Sequence, residues 1–210
     1  IVTGVDLTSV NTTTANFTLS GFGFIEGTGT RYQLGTVSIV DPGIGTGPDA
    51  FSSNTRTNLS TTFEDGLFGA VVVTTAGGTS APFSVPYTQL LSSPAVIGTP
   101  ADPGQPSANP GQTVTIVGTG FTLQTDLVAR SIADNTGLLA VEGLHPTSGN
   151  GTGTQATGTL PSYYNGGFAL NVVGSSFSPI LQIIPVVTGI DVTGVGTAQI
   201  SGQGFTEANG

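Results

Sequence analysis

The feature that most constrains this chain is a four-residue element that recurs three times. Gly21-Phe22-Gly23-Phe24, Gly118-Thr119-Gly120-Phe121 and Gly202-Gln203-Gly204-Phe205 each follow a short apolar run, and their first glycines stand 97 and then 84 residues apart. A repeat of that length is one small β domain. The lead-in recurs as well: Val2-Thr3-Gly4-Val5-Asp6 matches Val187-Thr188-Gly189-Ile190-Asp191. The first copy is looser, since Val5 to Ser20 carries four more residues than Ile190 to Ser201. This spacing predicts a domain over 1–93 and a second over 94–186. Residues 187–210 read as the first strands of a third repeat or as a strand-exchange segment.

The element has a mechanical reading. The first glycine ends a strand, and the second permits a positive φ or a bulge. The phenylalanine then returns to plug the end of the sandwich. Gly21, Gly23 and Phe24, Gly118, Gly120 and Phe121, and Gly202, Gly204 and Phe205 are thus expected to be structural. A dinucleotide fingerprint fails here, because no helix opens after the element and no third glycine falls in register.

Between the repeats, short alternating runs dominate: Phe17 to Ser20, Val37 to Ile39, Val114 to Val117 and Ala198 to Ile200. Phe168 to Val173 is a further strand, and the β-branched run Val71 to Thr75 reads as a more buried one. No long stretch has helical apolar spacing. Pro94, Pro100, Pro103, Pro106 and Pro110 crowd one segment, which reads as a stiff junction followed by a loop into the strand from Thr113. A semi-rigid rod of stacked modules follows.

The run Pro110-Gly111-Gln112-Thr113-Val114-Thr115-Ile116-Val117-Gly118-Thr119-Gly120-Phe121 resembles the opening of IPT/TIG immunoglobulin-like domains. Val71-Val72-Val73-Thr74-Thr75-Ala76-Gly77-Gly78-Thr79-Ser80 resembles the family's late strands, although Phe83 arrives two positions early. The second copy departs from the pattern, with Val173-Gly174-Ser175-Ser176 in place of the Gly-Gly-Thr-Ser turn. The resemblance implies an all-β chain of tandem immunoglobulin-like β-sandwiches. It also implies the settings of that family: stalks, adhesins and filaments of bacterial or archaeal surface proteins, or accessory modules beside polysaccharide-degrading enzymes.

Charge narrows the function. Three basic residues, Arg31, Arg56 and Arg130, face 12 acidic ones, for a net charge of −9. That leaves no basic footprint for nucleic acid or for an anionic membrane surface. No apolar run reaches a membrane span, so no direct membrane insertion is expected. Cysteine is absent, which excludes disulfides, thiol redox chemistry and thiolate metal sites. The Thr, Ser, Gly and Asn richness points to an extracellular or cell-surface polypeptide. The chain does not begin with Met and reads as a processed product or an excerpt of a longer protein.

Catalysis is not expected. His145 is the only histidine. It could join Asp134 or Glu142 in a triad by residue type alone, but no nucleophile elbow accompanies it. Glu64 and Asp65 are adjacent on a turn and diverge, so they do not form a paired acid and base. No cofactor is indicated. Calcium is the one ion that suits the oxygen ligands available, with Asp41 and Asp49 bracketing a Gly-rich loop and Asp126 and Asp134 flanking Val128 to Ala133. The other reading of these acids is solvated loops. Sequons place glycosylation candidates at Asn11, Asn16, Asn58 and Asn150, and Thr152 to Thr159 reads as a Thr-rich loop open to O-linked sugars. Tyr163 and Tyr164 are the candidate aromatic platform for a surface glycan, against the plainer reading of a strand-end pair. The expected partners are neighbouring repeats or identical subunits.

Overall fold

The computed structural model describes residues 1–25, 27–41, 56–92, 95–121, 125, 127–132, 141–144, 148–149 and 153–205. The described residues are all-β apart from a single 3-10 turn at Asp65–Leu67. Its first part carries β1 (Val2–Val10), β2 (Thr14–Gly21), β3 (Arg31–Leu34), β4 (Val37–Val40), β5 (Arg56–Thr62), β6 (Val71–Thr75) and β7 (Gly78–Thr79). These make two sheets, β1-β2-β5 and β4-β3-β6-β7. Leu7, Phe17 and Leu19 from the first sheet and Tyr32, Leu34, Val71 and Val73 from the second share one buried core. The predicted strands over 17–20, 37–39 and 71–75 all lie within these elements. Val72 is only half-buried while Val71 and Val73 are buried, so the Val71 run alternates instead of being covered on both faces.

The second part carries β8 (Tyr87–Ser92), β9 (Ser107–Ala108), β10 (Thr113–Gly118), β11 (Leu127–Ile132), β12 (Val141–Leu144), β13 (Ser148–Gly149), β14 (Gln155–Thr159), β15 (Gly166–Val172) and β16 (Ile180–Ile183). The sheets are β13-β14-β10-β8 and β12-β11-β15-β16-β9. Their shared core holds Tyr87, Ile116, Phe121, Leu127, Phe168, Leu170 and Leu181. Thr157 and Thr159 therefore sit on strand β14, not in a loop.

Two sequence expectations are corrected here. β8 pairs with β10 from Tyr87↔Gly118 to Ser92↔Val114, so a boundary at 93/94 would cut a sheet in two. The change of unit comes before Tyr87, at Val85 and Pro86. The Pro-rich segment is consequently not the junction. It lies inside the second unit and carries the chain from β8 in one sheet to β9 in the other, where β9 pairs parallel with β16. Asn109 fastens it: its side-chain amide donates to the carbonyls of Ile97 (2.9 Å) and Ile184 (3.0 Å), and its Oδ1 accepts from the Ile97 amide at 3.0 Å. Prolines suit this segment because a crossing chain has few ladder bonds to lose.

β17 (Val186–Gly194) and β18 (Thr197–Gln203) form a hairpin that reproduces β1–β2. β1–β2 shifts register between Val2/Gly4 and Leu7/Ser9, and β17–β18 shifts between Val187/Gly189 and Val192/Gly194. The irregularities therefore coincide position for position, and the length difference lies in the turn. Val2, Leu7 and Leu19 are buried, whereas their counterparts Val187, Val192 and Ile200 are 55%, 83% and 56% exposed. No second sheet faces this hairpin among the described residues.

The repeated glycine element explains itself in coordinates. A Cβ on Gly21, Gly118 or Gly202 would fall on the carbonyl oxygen of Ile1, Pro86 or Val186, and it would stand 2.7, 2.7 or 2.6 Å from Cζ of Phe24, Phe121 or Phe205. The second glycine has φ of 75° at Gly23, 76° at Gly120 and 76° at Gly204, a conformation that costs other residues about 1–2 kcal/mol. Phe24 and Phe121 are buried plugs, edge-on to Tyr32 and Tyr87. Phe205 folds back on Gly202 in the same way but stays 42% exposed, so it is not a core plug in this structure.

The two units pack side against face. β15 is buried on both faces, from Phe168 through Val172. Phe168, Leu170 and Val172 point into their own core, while Val128 and Val173 join the cluster of the first unit. Val85 closes the join, its amide donating to the Gly174 carbonyl at 3.0 Å. Lateral packing of this kind joins the units through Val128 on β11 and Val173 just after β15, each worth about 1.5–3 kcal/mol when buried. At the other join, a Cβ on Gly204 would meet Pro110 at 2.9 Å and Pro185 at 3.1 Å.

Gly118→Ala should therefore destabilise the protein by more than about 3 kcal/mol, since backbone must move, whereas Gly120→Ala should cost about 1–2 kcal/mol. Equal losses in denaturant titrations would contradict the assignment. Tyr87 gives a second test. Its hydroxyl is buried without a hydrogen-bond partner, and burial raises its pKa above the ordinary tyrosine value. The unfolded chain then loses this proton first, so stability falls as the solution is made alkaline through the ordinary tyrosine range. Tyr87→Phe should match or exceed wild-type stability at neutral pH and flatten the alkaline slope.

Candidate functional site

Asp41 is the best-defined of the predicted acids, and its surroundings are those of a structural group. It follows β4 at full burial. Its Oδ2 accepts the Tyr32 hydroxyl at 2.8 Å and its Oδ1 accepts the Gly27 amide at 3.2 Å, while its own amide donates to Thr30 at 2.9 Å. The carboxylate thereby holds the loop before β3 against the core. That is a correction to its reading as a solvated loop acid: it is buried and both oxygens serve donors of the first unit, while the rest of the loop with which it would bind calcium lies outside the described residues. Asp49, Asp126, Asp134, His145 and Asn150 lie outside the described residues, and Glu142 is placed only as a backbone position on β12. Glu64 is exposed at the start of the 3-10 turn. Among the described residues no three His, Cys, Asp or Glu side chains gather to hold a metal.

The tyrosine pair divides. Tyr164 is buried and stacks on Phe168 with centroids 4.1 Å apart. Tyr163 is 66% exposed and meets Tyr164 edge-on at 5.5 Å. The expected two-ring platform is thus one exposed ring braced by a core ring. Alternation cannot reveal this, because both residues sit in the loop before β15.

The sequons also differ. Asn11 turns its Oδ1 inward to the Thr13 and Thr14 amides, both at 2.8 Å, and so caps the β1–β2 turn. Asn16 donates from Nδ2, the atom a glycan would occupy, to Ser9 Oγ at 2.8 Å. Asn58 is exposed on β5 and accepts the Thr18 hydroxyl at 2.8 Å through its Oδ1. Of these three, Asn16 is the one whose amide nitrogen is itself held by a hydrogen bond given above.

Three cavities lined by described residues lie at the join and at one end. A cavity of about 340 Å³ opens between the units, with Thr3, Asp6, Ser20 and Thr125 on its wall beside Phe83 and Val85. Sequence reasoning did not single it out, since its residues are spread from Thr3 to Val173. A smaller one of about 200 Å³ brings Arg130 together with Asn171, Ser176 and Ser178. At the far end of the first unit, a groove of about 390 Å³ lies under Ile1, Phe22 and Ile25, all three of them exposed.

Asp41→Ala should destabilise the protein by about 1–3 kcal/mol through the lost buried hydrogen bonds. The loss in melting experiments should be the same in calcium chloride and in chelator. A loss seen only with calcium would return the ion to this loop.

No family model matches the sequence, and no curated protein is similar to it. Among solved structures, SGBP-B from a complex xyloglucan utilization locus in Bacteroides uniformis is similar over 93% of this chain at 16% identity, with a TM-score of 0.28. The chain spans 57% of that protein's length. No helix among the described residues is long and apolar enough to cross a membrane.

Proposed function

We propose that this chain is a structural module of an extracellular surface or fibre protein, built from tandem immunoglobulin-like, IPT/TIG-like sandwiches. The observation that carries the reading is the repetition of one hairpin, irregularity for irregularity, at β1–β2 and β17–β18. A repeated unit whose glycine element, aromatic ring and entering carbonyl recur together serves extension and spacing. The neighbour of such a unit is another of its kind, a further repeat or an identical subunit. Either would cover the apolar side of β17–β18, where exposed strand edges also invite pairing. The balance of 12 acidic to 3 basic residues favours a solvated exterior over nucleic acid or an anionic surface. Neither a catalytic constellation nor a cofactor enters this reading.

A second reading, a non-catalytic glycan-binding module of a secreted polysaccharide-active protein, is favoured by the exposed ring of Tyr163. Intact-mass analysis of native material beside negative-stain microscopy separates the two. Arrays or filaments of regularly spaced beads support the structural role. Isolated particles whose retention on immobilised polysaccharide falls at least tenfold in Tyr163→Ala would replace it with the second reading.

A further inference from the structure

We propose that the cleft between the two units is a binding site for a neutral polyhydroxylated ligand, a saccharide unit held at the joint. This inference stands apart from the structural reading and does not need the exposed tyrosine.

The argument begins with β1. Gly4 and Asp6 are two apart on the strand and share a face, the one turned away from Leu7 and the core. Ser20 lies opposite Gly4 in the β1–β2 register. A Cβ on Gly4 would meet only the Ser20 Cβ, at 3.7 Å, so this stretch of wall is open. Gly120, on the other side, has nothing within 4 Å of a would-be Cβ. The space left by the two glycines is part of the cavity of about 340 Å³, which is at the lower end of the size range of small-molecule sites, and joints between domains are where such sites concentrate.

The lining selects the ligand class. Asp6 is half-buried and is the one charged residue among the described residues of the wall; Thr3 and Ser20 add hydroxyls, with Thr125 beside them. No basic residue lines the cleft among the described residues, so an anion meets a carboxylate with no described cation to offset it. An entirely apolar ligand would strip water from Asp6 without returning a hydrogen bond, which is costly. One carboxylate among the described residues is a thin ligand set for calcium, which takes six to eight oxygens. A carboxylate does accept two neighbouring hydroxyls of a diol, and charged acceptors make the stronger hydrogen bonds. Phe83, Val85 and Val173 form the apolar side, on which the C–H face of a sugar ring can lie. A ligand so placed touches β1, the connector and the second unit together, so it also stiffens the joint.

The test is calorimetric titration of the whole chain with cellobiose, maltose and lactose, followed by the same titrations on variants. Saturable binding of at least one disaccharide is expected, weakened about tenfold or more by Asp6→Ala and abolished by Gly4→Leu, which fills the cleft. Asp6→Ala should keep the wild-type melting temperature, so its result stands even where Gly4→Leu does not fold. Tyr163→Ala should bind as wild type. The proposal is overturned by no binding of any disaccharide, by binding indifferent to Asp6→Ala, by binding lost in Tyr163→Ala instead, or by heat evolved with calcium chloride alone.

Discussion

Three backbone carbonyls, those of Ile1, Pro86 and Val186, each lie against the bare Cα of a glycine, and the rest of the structure depends on that contact. It fixes the distance at which the entering strand runs beside its partner. The aromatic ring that closes over the same glycine seals the end of the core in the two covered units. The second glycine turns the chain back so that the ring can arrive. Each of the three fixed positions therefore answers a different steric demand, which is why the element recurs as a block while the residue between the glycines is free to be Phe22, Thr119 or Gln203.

From that contact follows the joint between units. Pro86 supplies the carbonyl, so Val85 must stand immediately outside the second core, where it bonds to Gly174. The first unit is then held close enough to cover Val128 of β11 and Val173 just after β15. The inter-unit cleft is what remains where β1 presents Gly4 and β10 runs on to Gly120, positions with no side chain to fill the space.

Much of the fold was legible in the residues. The alternating runs mark strands because one face of each is buried, and the glycine elements mark their ends. The candidate site was legible only in part. Tyr163 and Tyr164 look equivalent in sequence, yet stacking on Phe168 takes one of them into the core. Asp41 looks like a loop acid because nothing adjacent to it announces Tyr32 as its partner across the β3–β4 pairing. The prolines from Pro94 to Pro110 look like a linker because composition reports local stiffness and not destination. Only the pairing of β9 with β16 and the bonds of Asn109 show that this segment stays within one unit.

The sequence by itself determined the all-β class, the repeat and the chemistry that is absent: too few cations for nucleic acid, no thiols, and one histidine. These follow from composition and from period-2 patterning, which depend on near neighbours alone. The tertiary structure decided where one unit ends and the next begins, which face of β15 meets the first unit, and that Thr3, Asp6 and Thr125 border one cleft. Those depend on contacts between residues tens of positions apart, and such contacts leave no periodic trace in the chain.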